Sequence, residues 1–332
     1  MKPTVAVIPL QGTILLTGTS RVDLAWYGEA GTRVSTSDFL EAIPELDEVA
    51  DIRQFEFREG VPSYELVDAD WVEFAELVNQ LVARDDIDGV VVTHGTGNLE
   101  ETAFFLDLVA DPDKPIVLTG AMRPSTGLGG DGALNFLNAV RTAASADSRG
   151  LGVLVVLNDT IFAARDATKS STFRVNTFDA RDLGPLGYAD ADGEVVYYHR
   201  PVRSAAARPR FTLPPGSVPA RVDVVLSYIN ADGVGIDAFV AAGARGIVNA
   251  GGGNGKAPAG QVAAMRAAVE QGILVCNASR CGEGRVVRTP AMRELGAVTC
   301  GNLLPWKARI LLSLALLDTS DPDAIQAMFD DT

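Results

Sequence analysis

The sequence predicts an α/β fold of two domains, a larger N-terminal one with a mainly parallel sheet flanked by helices and a smaller C-terminal α/β one. Three patterns carry that expectation. Short apolar runs rich in β-branched residues recur at residues 5–8, 89–92, 115–118 and 151–157. Runs that are apolar throughout are what strands buried on both faces look like. Small or hydroxyl-bearing residues follow each run, and the second leads into residues 99–109, where apolar positions recur at helical spacing. Alternation of strand and helix favours parallel pairing, and in such sheets ligands bind beyond the carboxyl ends of the strands. The pattern then breaks and restarts.

The break falls near 200–220. Pro201, Pro209, Pro214, Pro215 and Pro219, with Ala205, Ala206 and Ala207 between, read as an extended linker. Strand-like runs resume at 222–226, 246–249 and 273–276, and 307–317 reads as an amphipathic helix. The expected division is a first domain at 1–203, a linker at 204–221 and a second domain at 222–332.

The 332 residues suffice for two separate cores, and 47% hydrophobic residues is ordinary for a folded enzyme. Lysine and arginine number 28 against 43 acidic residues, a net charge of −15. That charge repels phosphate backbones and anionic lipid, so neither nucleic acid nor a membrane surface is an expected partner. No run approaches the roughly 18 apolar residues of a spanning helix, and the first residues do not resemble a secretory signal. Cys276, Cys281 and Cys300 are odd in number and read as free thiols of a reducing compartment, so the expected location is the cytoplasm. Their spacings of five and nineteen positions match no zinc motif, and with only His94 and His199 no multi-histidine metal site can form. No metal or other cofactor is expected. A hydrolase with so few histidines is expected to use a lysine or a carboxylate as its base.

Three polar sites adjoin strand-like runs: Gln11-Gly12-Thr13-Ile14, Thr93-His94-Gly95-Thr96-Gly97, and Asn158-Asp159 followed by Arg165-Asp166-Ala167-Thr168-Lys169. The second opens a helix near Asn98, whose free N–H groups suit a carboxylate. A lysine held in an apolar site has a lowered pKa and can deprotonate a hydroxyl at neutral pH. Each also has an ordinary reading. Thr13 can line a turn, Thr96 can cap the helix after it, Lys169 can sit on the surface, and His94 can be a hydrogen-bonded core residue. Spacing alone stops at an α/β protein with an anion site.

Taken together, the segments resemble the bacterial asparaginase/glutaminase family, threonine amidohydrolases, from about residue 5 to residue 330. Residues 92–102 resemble its T-H-G-T-D-T-x-E-E-T signature, and Gly120-Ala121-Met122-Arg123-Pro124 with Asp131-Gly132 resembles its G-A-M-R-P…D-G stretch. Asn158-Asp159 with residues 165–169 resembles N-D…R-D-x-T-K, and residues 305–309 resemble P-x-K-A-R. The resemblance implies that Thr13 is a nucleophile that forms an acyl-enzyme and releases ammonia. It implies that Thr96 and Lys169 form a second, activating group and that Tyr27 belongs to a mobile lid, its register uncertain by a residue or two. Ser63 would bind the substrate α-carboxylate, while Gly12, Tyr64, Gly95, Gly97 and Ala121 line the substrate site. It further implies a homotetramer or homodimer whose sites are completed across subunits, with Asn254 serving a neighbour's site.

Departures from the family pattern point one way. Leu10-Gln11-Gly12-Thr13-Ile14 stands for T-G-G-T-I, Gly97 for an aspartate that grips the substrate ammonium, Tyr64 for a glutamine, and Thr289 for an acidic residue of the second domain. Loss of one charge-assisted contact costs about 1.5–3 kcal/mol. Three readings follow: an asparaginase with altered amino-group recognition, a hydrolase of the same mechanism acting on an amide or lactone that lacks a free α-amino group, or a ligand-binding relative without turnover.

Overall fold

The computed structural model describes residues 2–58, 60–111, 113–201, 210–214 and 216–332, in two compact units, Met1–Gly216 and Ser217–Thr332. Part of the expected linker, 204–209 with Pro209, and Pro215, lies outside the described residues.

The first unit is built on an eight-stranded sheet. Its strands are β1 (Thr4–Pro9), β2 (Asp51–Gln54), β3 (Gly89–Thr93), β4 (Ile116–Thr119), β5 (Val153–Leu157) and β6 (Thr160–Ala163). A separate two-stranded ribbon joins β7 (Thr168–Lys169) to β8 (Phe178–Asp179), and β9 (Gly187–Ala189) and β10 (Val195–Tyr197) complete the large sheet. The order is β10-β9-β6-β5-β4-β3-β1-β2, parallel from β2 to β5 and antiparallel beyond. The sheet is mainly parallel, as the apolar runs predict.

Its helices are α1 (Tyr27–Ala30), α2 (Thr36–Glu41), α3 (Leu46–Val49), α4 (Asp68–Val82), α5 (Leu99–Val109) and α6 (Gly132–Ala144). Side chains alternate along a strand, so each apolar run serves two layers. Val5 and Val7 of β1, Val91 of β3, Val117 of β4 and Leu154 and Val156 of β5 share one core with Phe136, Leu137 and Val140 of α6. On α4 and α5, Trp71 and Phe105 stack with ring centroids 5.1 Å apart. Full burial of each such side chain is worth about 1.5–3 kcal/mol, and this fixes the register that brings the ends of β1 and β3 side by side. Pro9 lies opposite Thr93 there, and the Leu10 amide donates to the Thr93 carbonyl at 2.9 Å.

The Asn158-Asp159 pair proves to be a hairpin. Both residues have positive φ, 51° and 60°, the requirement of a two-residue turn matched to strand twist, and they connect β5 to antiparallel β6. The Asp159 carboxylate accepts from Asn138 Nδ2 at 2.9 Å, and the Asn158 amide donates to Asn135 Oδ1 at 2.8 Å, so α6 pins the turn.

The second unit carries a parallel sheet in the order β11 (Val222–Leu226), β12 (Gly246–Gly251), β13 (Leu274–Ser279) and β14 (Val298–Thr299). Its helices are α7 (Val234–Ala241), α8 (Ala259–Glu270), α9 (Pro290–Glu294), α10 (Pro305–Asp318) and α11 (Pro322–Asp331). One expectation needs correction here. The 307–317 helix exists as α10, but it is buried nearly all round rather than amphipathic, because it packs on β11, β12 and β13 and also meets α11. Cys276 and Cys300 are buried, Cys281 is exposed, and all three are free thiols. Among the described residues, no helix is long and apolar enough to cross a membrane.

Candidate active site

Two polar residues at the ends of neighbouring strands begin the site. Thr13 opens a 3-10 turn, Thr13–Leu15, just past β1, and Thr96 lies just past β3. The two chain segments approach so closely that their main chains touch. Gly12 has an extended backbone (φ −162°) that any residue adopts, yet a side-chain carbon there would lie 2.6 Å from the Gly95 nitrogen. Glycine at 12 is therefore a matter of close approach. A side chain at Gly95 would collide with Ser63 Oγ in turn.

Thr13 Oγ1 lies 3.1 Å from the Tyr27 hydroxyl. Tyr27 starts α1 inside a loop whose base is closed by Thr17 N donating to Thr32 O and Val34 N donating to Leu15 O, both at 2.9 Å. Asp23 keeps the loop folded, its carboxylate accepting from Thr19 N at 3.1 Å and from Trp26 N at 2.9 Å.

Lys169 arrives on the β7–β8 ribbon, where it pairs with Phe178. Its Nζ donates to Thr96 Oγ1 at 2.7 Å. The threonine proton faces the Met122 sulfur at 3.4 Å, a weak acceptor, so it is loosely committed. Burial pushes the Lys169 ammonium below its ordinary pKa, while the nearby Glu100 carboxylate acts the other way. The loop carrying Met122 is clamped by Asp131, whose carboxylate accepts from Met122 N and Arg123 N, each at 2.9 Å. Ala121 is wholly buried in that loop.

Asn98 caps α5 by position, but its side chain turns elsewhere. Asn98 Nδ2 donates to Ser63 O at 2.9 Å, and Ser63 Oγ donates to Asn98 Oδ1 at 3.2 Å, which fixes Ser63 beside the start of α5. Ser63 is almost fully buried, whereas Tyr64 next to it is 74% exposed. Gly97 is exposed, and no described atom lies within 4 Å of the point a side-chain carbon would occupy there. His94 is fully buried with Nδ1 2.8 Å from the Gly95 carbonyl, and burial holds its pKa at about 4. It is a neutral core histidine. Among the described residues no group of His, Cys, Asp or Glu side chains converges on a point that could hold a metal.

The first unit thus brings together Thr13 with Tyr27, Thr96 with Lys169, and Gly12 with Gly95 and Ser63. In the second unit, Asn254 exchanges hydrogen bonds with the Val287 main chain, 3.1 Å out and 2.6 Å in, and Thr289 caps α9. Sequence reasoning singled out neither Asn98, Glu100, Met122 nor Asp131. Glu100 and Asp131 stand inside the quoted signatures, but nothing in their spacing marks which atoms they hold.

Comparison with known proteins follows the same two-part division. The Asparaginase, N-terminal family model matches residues 4–203, and the Glutaminase/Asparaginase C-terminal domain model matches residues 221–329. The chain is 37% identical over 330 residues to L-asparaginase 2 of Bacillus subtilis (strain 168), covering 99% of this chain and 86% of the relative. It is 34% identical over 328 residues to the glutaminase-asparaginase of Pseudomonas aeruginosa, covering 98% and 89%. The solved structure of a probable cytoplasmic L-asparaginase from Campylobacter jejuni superposes with a TM-score of 0.93 at 35% identity, covering 99% of each chain. Family models on both halves, relatives matched along nearly the whole chain, and strand ends furnished with paired hydroxyls and a lysine agree. The protein belongs to the asparaginase family, hydrolases of carbon–nitrogen bonds other than peptide bonds.

Proposed function

We propose that the protein hydrolyses the side-chain amide of an asparagine-like substrate through an acyl-enzyme on Thr13. The observation that carries the reading is Lys169 Nζ at 2.7 Å from Thr96 Oγ1, with burial lowering the ammonium pKa. A neutral Lys169 takes the Thr96 proton, and Thr96 then takes the proton of the attacking group. Thr13 Oγ bonds to the amide carbon, the C–N bond breaks, and the nitrogen leaves as ammonia with the transferred proton. Water next attacks the acyl carbon, its proton returns to Thr13, and the acid departs. Tyr27, 3.1 Å from Thr13 Oγ1, orients the nucleophile within the closed loop. Ser63, fixed by Asn98, receives the α-carboxylate. Gly12, Gly95 and Ala121 supply the main-chain wall. On the same resemblance we propose a homotetramer or homodimer with Asn254 completing a neighbour's site, which the solution mass from light scattering tests.

One observation favours a second reading. Neither Gly97, with open space around it among the described residues, nor the exposed Tyr64 supplies the charge or amide that the family pattern places at these positions. A substrate without a free α-amino group, such as a dicarboxylic monoamide, an N-acylated amide or a lactone, suits that opening.

Ammonia or acid release from asparagine, glutamine, succinamate, N-acetyl-asparagine and simple lactones separates the two readings. Turnover of asparagine at or above that of the amino-free compounds sinks the second. In either case Thr13→Val is expected to lower the rate by at least about a thousandfold and Lys169→Met by roughly a hundredfold or more. An active Thr13→Val enzyme ends the assignment of Thr13 as nucleophile. Binding of panel members without turnover by the unaltered protein points instead to a relative that has kept only its pocket.

A further inference from the structure

Lys169 reaches Thr96 across a wide gap in sequence, 73 residues, and a two-residue strand is a slight support for a side chain held at 2.7 Å. Something must fix its main chain. Glu100 does so: its Oε1 accepts from the Lys169 amide at 3.0 Å. Glu100 is only 5% exposed and sits on the first turn of α5, the helix that starts just after Thr96, Gly97 and Asn98. One carboxylate therefore ties the strand carrying Lys169 to the helix whose start carries Thr96.

We propose that Glu100 is a positioning residue for the Thr96–Lys169 pair, clamping the Lys169 main chain through its buried carboxylate and so placing that carboxylate near the lysine. The inference rests on the proposed role of Lys169 as the base. A clamp alone could be a neutral amide. A carboxylate adds a second effect, because it stabilises the charged lysine and so raises the pH at which the base becomes available. Burial lowers that pH and Glu100 restrains the lowering. Other charged groups stand on the elements around Lys169: Glu101 on α5, Arg165 and Asp166, paired at 2.6 Å, and Asp179 on β8, which accepts from Ala180 N. Of these carboxylates, Glu100 is the one that both holds the Lys169 amide and favours its charged ammonium.

The two effects come apart in two variants. Glu100→Gln keeps an acceptor for the Lys169 amide and removes the charge. It is expected to keep most of kcat and to move the acid limb of the kcat/KM–pH profile down by about one pH unit. Glu100→Ala removes the clamp as well and is expected to lower kcat about tenfold or more with KM little changed. Glu100→Asp, which keeps the charge on a shorter stem, is expected to return the acid limb toward its original position, and it carries the test should the glutamine variant fail to fold. An acid limb unmoved in Glu100→Gln, or for a poorly folding glutamine variant an aspartate variant whose limb moves down as if uncharged, overturns the proposal. Lys169→Met distinguishes this failure from failure of the underlying mechanism. If Lys169→Met is inactive while the Glu100→Gln limb stays put, only the role of Glu100 falls. If Lys169→Met keeps its rate, the base itself has been misassigned.

Discussion

Both units end their parallel strands in polar residues, yet those residues are spent differently. Past β11 and along β12 and β13 of the second unit, Ser227 Oγ lies 2.7 Å from both Asn249 Oδ1 and Gln261 Oε1. Asn249 Nδ2 donates to Gly255 O and to Asn277 Oδ1, each at 3.0 Å, and Gln261 Nε2 donates to Leu226 O at 3.2 Å. These are neutral amides and a hydroxyl closed on one another and on main chain. Beyond β1 and β3 of the first unit, the corresponding positions hold hydroxyls beside a cation. Among the described residues Thr13 Oγ1 meets only another hydroxyl, and Thr96 rests its proton on a sulfur while accepting from an ammonium whose pKa burial has lowered. A closed amide network ties its buried groups to one another and builds rigidity. The set proposed to react keeps one proton or lone pair loosely held. The same sheet architecture supports both, and residue chemistry alone tells them apart.

That contrast predicts which changes cost stability and which cost rate. Asn249→Ala should be the most damaging to the fold, since it takes the donor away from Asn277 Oδ1 and from the Gly255 carbonyl, at about 1–3 kcal/mol for each buried group. Its melting temperature should fall sharply. If it does not, the second network is not structural and the contrast fails. Tyr27→Phe should behave in the opposite way, with kcat lower by about 10- to 100-fold, or roughly 1.4–2.7 kcal/mol, and little change in melting temperature. Equal losses of rate and stability would mean that the Tyr27–Thr13 contact mainly holds the loop shut.

The gentlest test concerns His94, a polar residue at the reactive end that behaves as a structural one. Burial lowers its pKa from the ordinary 6.5 to about 4, so the unfolded chain binds a proton between these values that the folded chain does not. This contribution to stability is complete above pH 6.5 and fades as pH falls towards 4, by about 1 kcal/mol over the first unit. The chain has two histidines, so imidazole proton resonances followed against pH give a direct check. One of them should stay unmoved until close to pH 4. Titration of both near 6.5 would show His94 to be solvated and free for other work.

How legible was all this in the chain itself? Thr13 illustrates the limit. Local sequence offers a Gly-Thr after a strand, which is ordinary, and its identification came from signatures in the right order along the chain. Tyr27 lies 3.1 Å from Thr13, a contact over 14 residues that its place in the sequence does not display. The Asn158-Asp159 signature looked like a ligand-binding strand end and turned out to be a hairpin, because two consecutive positive φ values are a backbone property that a motif does not display. The 307–317 run was periodic enough to call a helix but not to tell one-sided from all-round burial, which depends on what packs against it.

The sequence by itself determined the alternation of buried strands and helices, the two-part division, the family, and which hydroxyls and lysine to propose for the site. These follow from local periodicity and from ordered motifs, both of which survive in one dimension. Only the tertiary structure decided which atoms meet. Asn98 reaches Ser63 over 35 residues, Glu100 reaches Lys169 over 69, and Gly12 lies against Gly95 because the registers of β1 and β3 align. Those contacts are set by how two layers of helices press on one sheet. Their energies are of short range, a few ångströms at most, so no spacing along the chain records them.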